Sequence, residues 1–339
     1  MEFSSDNTDA IVGQVFEALQ EANSGRAHAY SNDRFTSSLR EKINEIFETD
    51  TQIYLTATGT GANAIAMSAL TKKYGIVLCN HAAHIFQDET GAPEALMGGA
   101  RLSAISHNMN SKVTPTEVNN FFSNGWKDNI HNMQANALSI TNLTEHGCVY
   151  SPDEVKELSK VCKERDLLLH MDGARFTNAI VSTGASPAEM TWKSGVDILS
   201  LGLTKLGAMS AEMLVVFNKS LVPDLTFLHK RGAQLFSKSR YAAAQFLGMF
   251  KNDLWLDLAR HSNELAAKLA TAAKEKGYNV LQEVHGNQVF VEILEDKRKE
   301  LEDAGVGFYI FPSMGVNACR FVTSWNTTEE EVNKFIALL

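Results

Sequence analysis

Apolar residues fall into two rhythms along this chain. Short runs in which nearly every position is apolar alternate with longer stretches in which apolar positions recur every three or four residues. The short runs are I-Y-L-T-A (53–57), I-V-L-C (76–79), A-L-S-I-T-N-L (137–143), L-L-L-H-M-D (167–172), Val196–Leu203 and Met213–Phe217. Runs of this length without a polar face predict strands buried on both sides. The longer rhythm predicts a helix over 8–25, with Ile11, Val15, Ala18, Leu19 and Ala22 on one stripe and Gly25 as a left-handed stop. It predicts two more, over 37–48 (Leu39, Ile43, Ile46, Phe47) and over 62–73 (Ile65, Ala66, Ala69, Leu70). Ser151-Pro152-Asp153-Glu154 opens another with a capping box and a proline at the first helical position, and a shorter helix is expected around 187–194. Such alternation predicts an α/β fold with a mostly parallel sheet covered on both faces, and ligands gather beyond the carboxyl ends of strands in such sheets.

After about residue 225 the pattern changes. A basic, polar segment, H-K-R-G-A-Q-L-F-S-K-S-R (229–240), leads into long helical patterns through about 276. Strand-like runs at Asn279–Val284 and Gln288–Leu294, a helix, strands at 308–311 and 319–323, and a final helix capped by Thr327 or Thr328 complete the chain. The expected organisation is an N-terminal segment of helix and arm (1–30), a large α/β domain (31–225) and a smaller C-terminal α+β domain (226–339). No internal repeat or low-complexity tract interrupts it.

At 339 residues the chain is long enough for two cores. Its formal charge of −9 gives no electrostatic reason to expect nucleic acid or an anionic membrane as partner. No apolar run approaches the roughly 20 residues of a membrane span. The start, M-E-F-S-S-D-N, lacks the basic and hydrophobic regions of a signal peptide, so a cytoplasmic protein is expected. Cys79, Cys148, Cys162 and Cys319 are scattered in or beside apolar segments, where reduced, packed thiols are the default. No metal ligands are assigned.

Candidate chemistry concentrates at strand ends. Lys205 stands between two buried strands, flanked by Thr204 and near two glycines. An ammonium there either snorkels to water or is used, for instance in a Schiff base with a carbonyl cofactor. Asp172 ends a fully apolar strand and is followed by Gly173 and Arg175. It either pairs internally with Arg175 or keeps a heteroaromatic nitrogen protonated, as pyridoxal phosphate requires. The turn T-G-T-G-A-N (58–63) fits a phosphate at a helix N-terminus or an ordinary strand–helix connection; its spacing is neither a Walker motif nor a dinucleotide fingerprint. His84 could stack on a planar ring and relay a proton, or be a satisfied histidine; Glu89, His131 and His146 carry the same ambiguity. Phosphate turn, aspartate and lysine occur in that order at strand ends, and together they fit pyridoxal phosphate better than any one does.

These residues sit in longer motifs: S-D-N near the start, A-Y-S-N-D, G-T-G-A-N, A-A-H followed by D-E-T-G-A-P-E, H-M-D-G-A-R-F-T-N-A, L-T-K-L-G and C-R-F-V-T-S-W. On them the chain resembles, over nearly its full length, the low-specificity L-threonine aldolases of the beta-eliminating lyase/threonine aldolase family. These are pyridoxal-phosphate enzymes of the aspartate-aminotransferase fold (fold type I). The resemblance implies that Lys205 forms the Schiff base, Asp172 partners the pyridine nitrogen, and Gly59, Thr60 and Gly61 hold the phosphate. It implies that His84 stacks on the ring, that Arg175 meets the cofactor's 3-oxygen or the substrate carboxylate, and that Arg320, helped by Ser5, binds that carboxylate. Arg231 and Lys238 would reach a phosphate, often across a subunit boundary, which implies a homodimer or homotetramer with shared active sites.

Two departures are visible. T-K-L-G-A-M-S-A-E stands where many members carry S-K-G-L-G, which places the chain nearer a phenylserine-tolerant branch. T-N-L-T-E-H-G (141–147) replaces the common E-N-T-H. The implied reaction is retro-aldol cleavage of L-threonine, L-allo-threonine and similar β-hydroxy-α-amino acids to glycine and an aldehyde. His84, or a water it orients, is the expected acceptor of the hydroxyl proton, with His131 second. The alternatives are another pyridoxal lyase acting at Cβ, of the tryptophanase or tyrosine phenol-lyase kind, or a cofactor-free α/β protein that binds anions.

Overall fold

The computed structural model describes residues 1–123, 125 and 127–339. Seven strands form the main sheet: β1 (Gln52–Thr56), β2 (Gly75–Asn80), β3 (Arg101–Ser106), β4 (Gln134–Thr141), β5 (Leu168–Gly173), β6 (Ile198–Gly202) and β7 (Glu212–Val216). Their order is β1-β7-β6-β5-β4-β2-β3. The pairs from β3 to β6 are parallel, whereas β7 runs antiparallel to both β6 and β1. The reversal of β7 places its first residue, Glu212, at the same end of the sheet as the last residues of β1 and β6, opposite Thr56 and Gly202.

Both faces of the sheet are covered, which is why its strands lack a polar side. Ile76 and Leu78, Leu138 and Ile140, Leu169 and Met171, and Leu199 and Leu201 join one core. Val77, Cys79, Ala137, Ile198, Leu214 and Val216 face the other, against Ile65, Ala66 and Met67 of the helix Gly59–Leu70. Within the sheet His170 is held by Ser139 Oγ (2.8 Å) and Ser200 Oγ (2.9 Å) from the strands on either side. Burial pushes this histidine down to about 4, so it is a neutral cross-strand link.

A second sheet is antiparallel, in the order β8 (Gln288–Glu292), β10 (Ala318–Val322), β9 (Tyr309–Ile310). It packs with the helices Leu254–Glu275 and Glu329–Leu338 around a separate core. The last helix is capped by Thr328, whose capping box with Glu331 is complete. The N-terminal arm belongs to this core. Phe3 is buried against Phe335 (5.3 Å between rings) and bonds Gly307 and Val322 through its backbone.

Four differences from the sequence reading have physical causes. The first helix spans only Gly13–Ala22, because residues 3–9 are drawn out as an arm with Asp6 bound elsewhere. Strand β3 was not anticipated: its residues, R-L-S-A-I-S, are only partly apolar, and it is an edge strand with one neighbour. Residues 279–284 are not a strand. They touch β8 through the Val280–Val291 bridge and then leave it. The helix Arg240–Phe250, grouped by sequence with the C-terminal part, buries Ala243, Phe246 and Phe250 in the large sheet's core.

Candidate active site

Six chain segments converge at one end of the main sheet. They enclose a cavity of about 270 Å³ lined by Thr58, Gly59, Thr60, Asn63, His84, Glu145, Asp172, Arg175, Lys205 and Glu212, among others. The larger cavity of about 770 Å³, between the helices Gly13–Ala22, Arg34–Ile46 and Arg240–Phe250, holds none of these groups.

The turn after β1 is built as expected. Thr58 caps the helix Gly59–Leu70 by accepting from Gly61 N at 3.0 Å, and Ala62 N bonds Thr58 O. Gly61 N is therefore used within the turn, which leaves the first amides, of Gly59 and Thr60, free to accept an anion at the cavity. Gln234, unanticipated, covers the turn from the basic loop. Its Oε1 accepts from Ala57 N at 2.8 Å, and its amide lies 2.7 Å from where a Cβ at Gly61 would stand.

Asp172 ends β5 with both oxygens engaged, Oδ1 by Ala174 N (3.0 Å) and Oδ2 by Asn63 Nδ2 (2.8 Å). The same Asn63 amide donates to Glu89 Oε1 (2.8 Å), which also meets His84 Nδ1 at 2.9 Å. The Glu89 hydrogen bond holds the His84 imidazole above its ordinary value, while burial and Lys205 pull the other way. Glu89, whose side chain is fully buried, is thus a partner of His84 and not a solvated glutamate.

Lys205 lies in the tight turn Thr204–Leu206 after β6. Burial, with the nearby Arg175 charge, holds its ammonium below the usual lysine value, against the opposing pull of Asp6, Asp172 and Glu212. Glu212 is itself pushed up to about 7, chiefly by burial. It packs over Gly202, where a Cβ would stand 2.4 Å from its Oε2.

Arg175 is not paired with Asp172. Its Nε and Nη2 clasp both oxygens of Asp6, at 2.8 and 2.9 Å, and Asn287 Nδ2 adds a third bond to that carboxylate at 3.0 Å. Arg320, on β10, lies close enough that Arg175's charge adds to burial in lowering its guanidinium to about 10. It rests over the Tyr309 and Phe311 rings and donates Nη2 to Ser4 O at 3.2 Å, and its buried Nε has no partner. Two adjacent guanidiniums, one with an unused donor, suit a carboxylate ligand. Ser5 Oγ is turned to Asn7 N (3.2 Å), and the arm reaches the cavity through Asn7.

Several expected residues do not line this cavity: Ser5, Gly61 and Arg320, described above, and His131, His146, Arg231 and Lys238. His131 sits in an exposed turn before β4, and the site lies at the other end of that eight-residue strand, roughly 25 Å away at the usual strand rise. The structure therefore removes it as a proton acceptor within this chain. Arg231, ending the helix Val222–Arg231, and Lys238, in the turn beyond it, are exposed on either side of Gln234 and do not line the cavity of their own chain. His146 faces away from it, bonded to Met109 O (2.9 Å) and Ser313 Oγ (3.3 Å). Its neighbour Glu145 faces in.

Residues 2–296 match the Beta-eliminating lyase family profile. The chain belongs to that family. It is 38% identical, over 98% of its length and 95% of the relative's, to the low specificity L-threonine aldolase of Pseudomonas aeruginosa. The structure superposes on the threonine aldolase of Leishmania major with a TM-score of 0.93 at 26% identity, covering 99% and 98% of the two chains. The serine palmitoyltransferase of Sphingomonas wittichii, at 14% identity, shares the fold alone (TM-score 0.71, covering 100% of this chain and 86% of the other). Along the chain, the cavity is built from the glycine turn after β1, His84 after β2, Asp172 on β5 and Lys205 after β6. Among the described residues, no helix is long and apolar enough to cross a membrane.

Proposed function

We propose that this protein is an aldehyde-lyase that cleaves L-threonine, L-allo-threonine and related β-hydroxy-α-amino acids such as phenylserine to glycine and an aldehyde, using pyridoxal 5'-phosphate. The observation that carries the reading is that Lys205 and Asp172 line one cavity with the amides of the Gly59 turn at its edge. An amine, a carboxylate and an anion cradle are the three groups this cofactor needs. Buried atoms left without partners in the same wall, Asn63 Oδ1 and Glu89 Oε2, are consistent with a polar guest.

When bound, the cofactor supplies an electron sink for the pair left at Cα. The chain's own residues do the rest. The Gly59 and Thr60 amides would hold the phosphate, and Asp172 would keep a proton on the ring nitrogen. Lys205, whose ammonium burial disfavours, would provide the nucleophilic amine and later carry a proton. His84, which lines the cavity, would cover the ring. Arg320 and Arg175 fix the substrate carboxylate and so choose which bond at Cα is aligned for cleavage. Exposed Arg231 and Lys238 support a homodimer or homotetramer in which the basic loop serves a neighbouring site.

The reading is tested by incubating the loaded protein with L-threonine. Glycine and acetaldehyde are expected; ammonia and a keto acid would mark a β-eliminating enzyme instead. Arg320→Ala should raise KM for threonine roughly 10- to 100-fold, the worth of a charge-assisted hydrogen bond, with kcat changing less. An unchanged KM removes Arg320 from the substrate site.

A further inference from the structure

Glu145 has no role in the account so far, yet it is built into the cavity wall. The turn that carries it is fixed by Thr144 N to Cys148 O (2.8 Å) and Gly147 N to Thr144 O (2.9 Å), with Gly147 at φ +77°. That turn sends His146 out between Phe290 and Phe311 and Glu145 inward. Glu145 Oε1 is gripped by two donors, Thr141 Oγ1 at 2.8 Å and His84 N at 2.9 Å. Its Oε2 is buried with no partner at all. A carboxylate with one oxygen anchored and the other unsatisfied, in a wall shared with Lys205 and His84, is poised to receive a proton.

We infer that Glu145 is the catalytic base that takes the β-hydroxyl proton of the substrate; this rests on the aldolase reading above. The hydroxyl proton passes to Glu145 Oε2, and the O–H pair becomes the second bond of the aldehyde carbonyl. The Cα–Cβ pair stays with Cα, which takes up one proton to complete glycine, and Glu145 releases its own proton before the next turnover. No other reactant is consumed.

The surroundings favour this group over His84. His84 Nδ1 is already engaged by Glu89 at 2.9 Å, whereas Glu145 Oε2 has no partner, and burial pushes Glu145 up to about 7, where a base operates efficiently at neutral pH. The titratable and charged groups around Glu145 are Asp172 on β5, His84 and Cys79 from the β2 side, and Tyr150 beyond the turn. Among these Asp172 adds to the upward shift, and the Thr141 and His84 bonds oppose it.

The decisive variant is Glu145→Gln in the full, cofactor-loaded chain, because glutamine keeps an oxygen for the two donors. Threonine cleavage should fall by about 10²- to 10⁴-fold, the usual worth of a positioned base. Exchange of the glycine α-hydrogen for deuterium, which moves no hydroxyl proton, should stay within about threefold of the parent, since it lacks the step that such a base assists. The infrared carboxyl band that disappears in the cofactor-free parent as pH rises through about 7 should lose its Glu145 component. Thr141→Val removes a donor that lowers Glu145, so it should move the acid limb of kcat to higher pH. Unchanged cleavage in Glu145→Gln overturns the inference, as does equal loss of cleavage and exchange, which would mark a structural part. Failure of the parent to catalyse either reaction would overturn the aldolase reading itself.

Discussion

Replacing Lys205 by alanine is expected to remove threonine cleavage and the visible band of the lysine-bound cofactor together. Lys205 is the only lysine that lines the cavity among the described residues, so no second amine can take over. Its setting also explains its reactivity. Burial and Arg175 disfavour the ammonium, and three carboxylates, Asp6, Asp172 and Glu212, only partly restore it. The loss of proton transfer alone is worth on the order of 10²- to 10⁴-fold, and loss of the covalent tether adds to it. The variant should nevertheless fold, because the turn is held by other contacts. At Gly207 (φ +109°) a Cβ would stand 2.4 Å from Val12 Cγ2 and 2.9 Å from Trp325 Nε1, so the turn is packed between the first helix and the C-terminal part. Circular dichroism and thermal unfolding check the fold, absorbance the tether, and glycine release the chemistry. A folded variant that keeps both band and turnover would refute the assignment.

The same logic separates what the sequence made legible from what it did not. A charge at the end of a run buried on both faces is visible without coordinates, because such a residue needs a reason to be there; Lys205 and Asp172 are both of this kind. Glu212 is too, heading the apolar run of β7, and the rule could have found it. Asp6 could not be found that way. It lies 169 residues from Arg175 in an arm with no periodic pattern, and only the folded chain brings the two together. The pairing expected from proximity, Asp172 with Arg175, gave way because Asn63 and the Ala174 amide already satisfy Asp172. In T-E-H-G the histidine is the better-known acid–base residue, whereas the direction of a five-residue turn decides that the glutamate faces the site. Burial on both faces writes itself as an unbroken apolar run, as in the edge strand β1; β3, exposed or half-buried at four of its six positions, escapes that demand.

Asp172→Asn is expected to cost about 10²- to 10³-fold in kcat, the range seen when one preorganised electrostatic partner of a developing charge is removed. Asparagine has nearly the same shape and can still accept from the Ala174 amide, so the fold should hold; what disappears is the charge that keeps the ring nitrogen protonated. The charge also acts on its titratable neighbours, and the signs differ. Asp172 favours the Lys205 ammonium, so in the variant the cofactor-free lysine should lose its proton at a still lower pH, readable from the pH dependence of its reaction with a small aldehyde. Asp172 opposes ionisation of Glu145 and Glu212, so both carboxyls, each now near about 7, should titrate lower. The acid limb of the residual activity should therefore move to lower pH in Asp172→Asn, opposite to its expected movement in Thr141→Val. A limb that moves the same way in both variants, or a kcat within about threefold of the parent where a preorganised partner is worth far more, would mean that Asp172 does not stand against the ring and does not share a field with these groups.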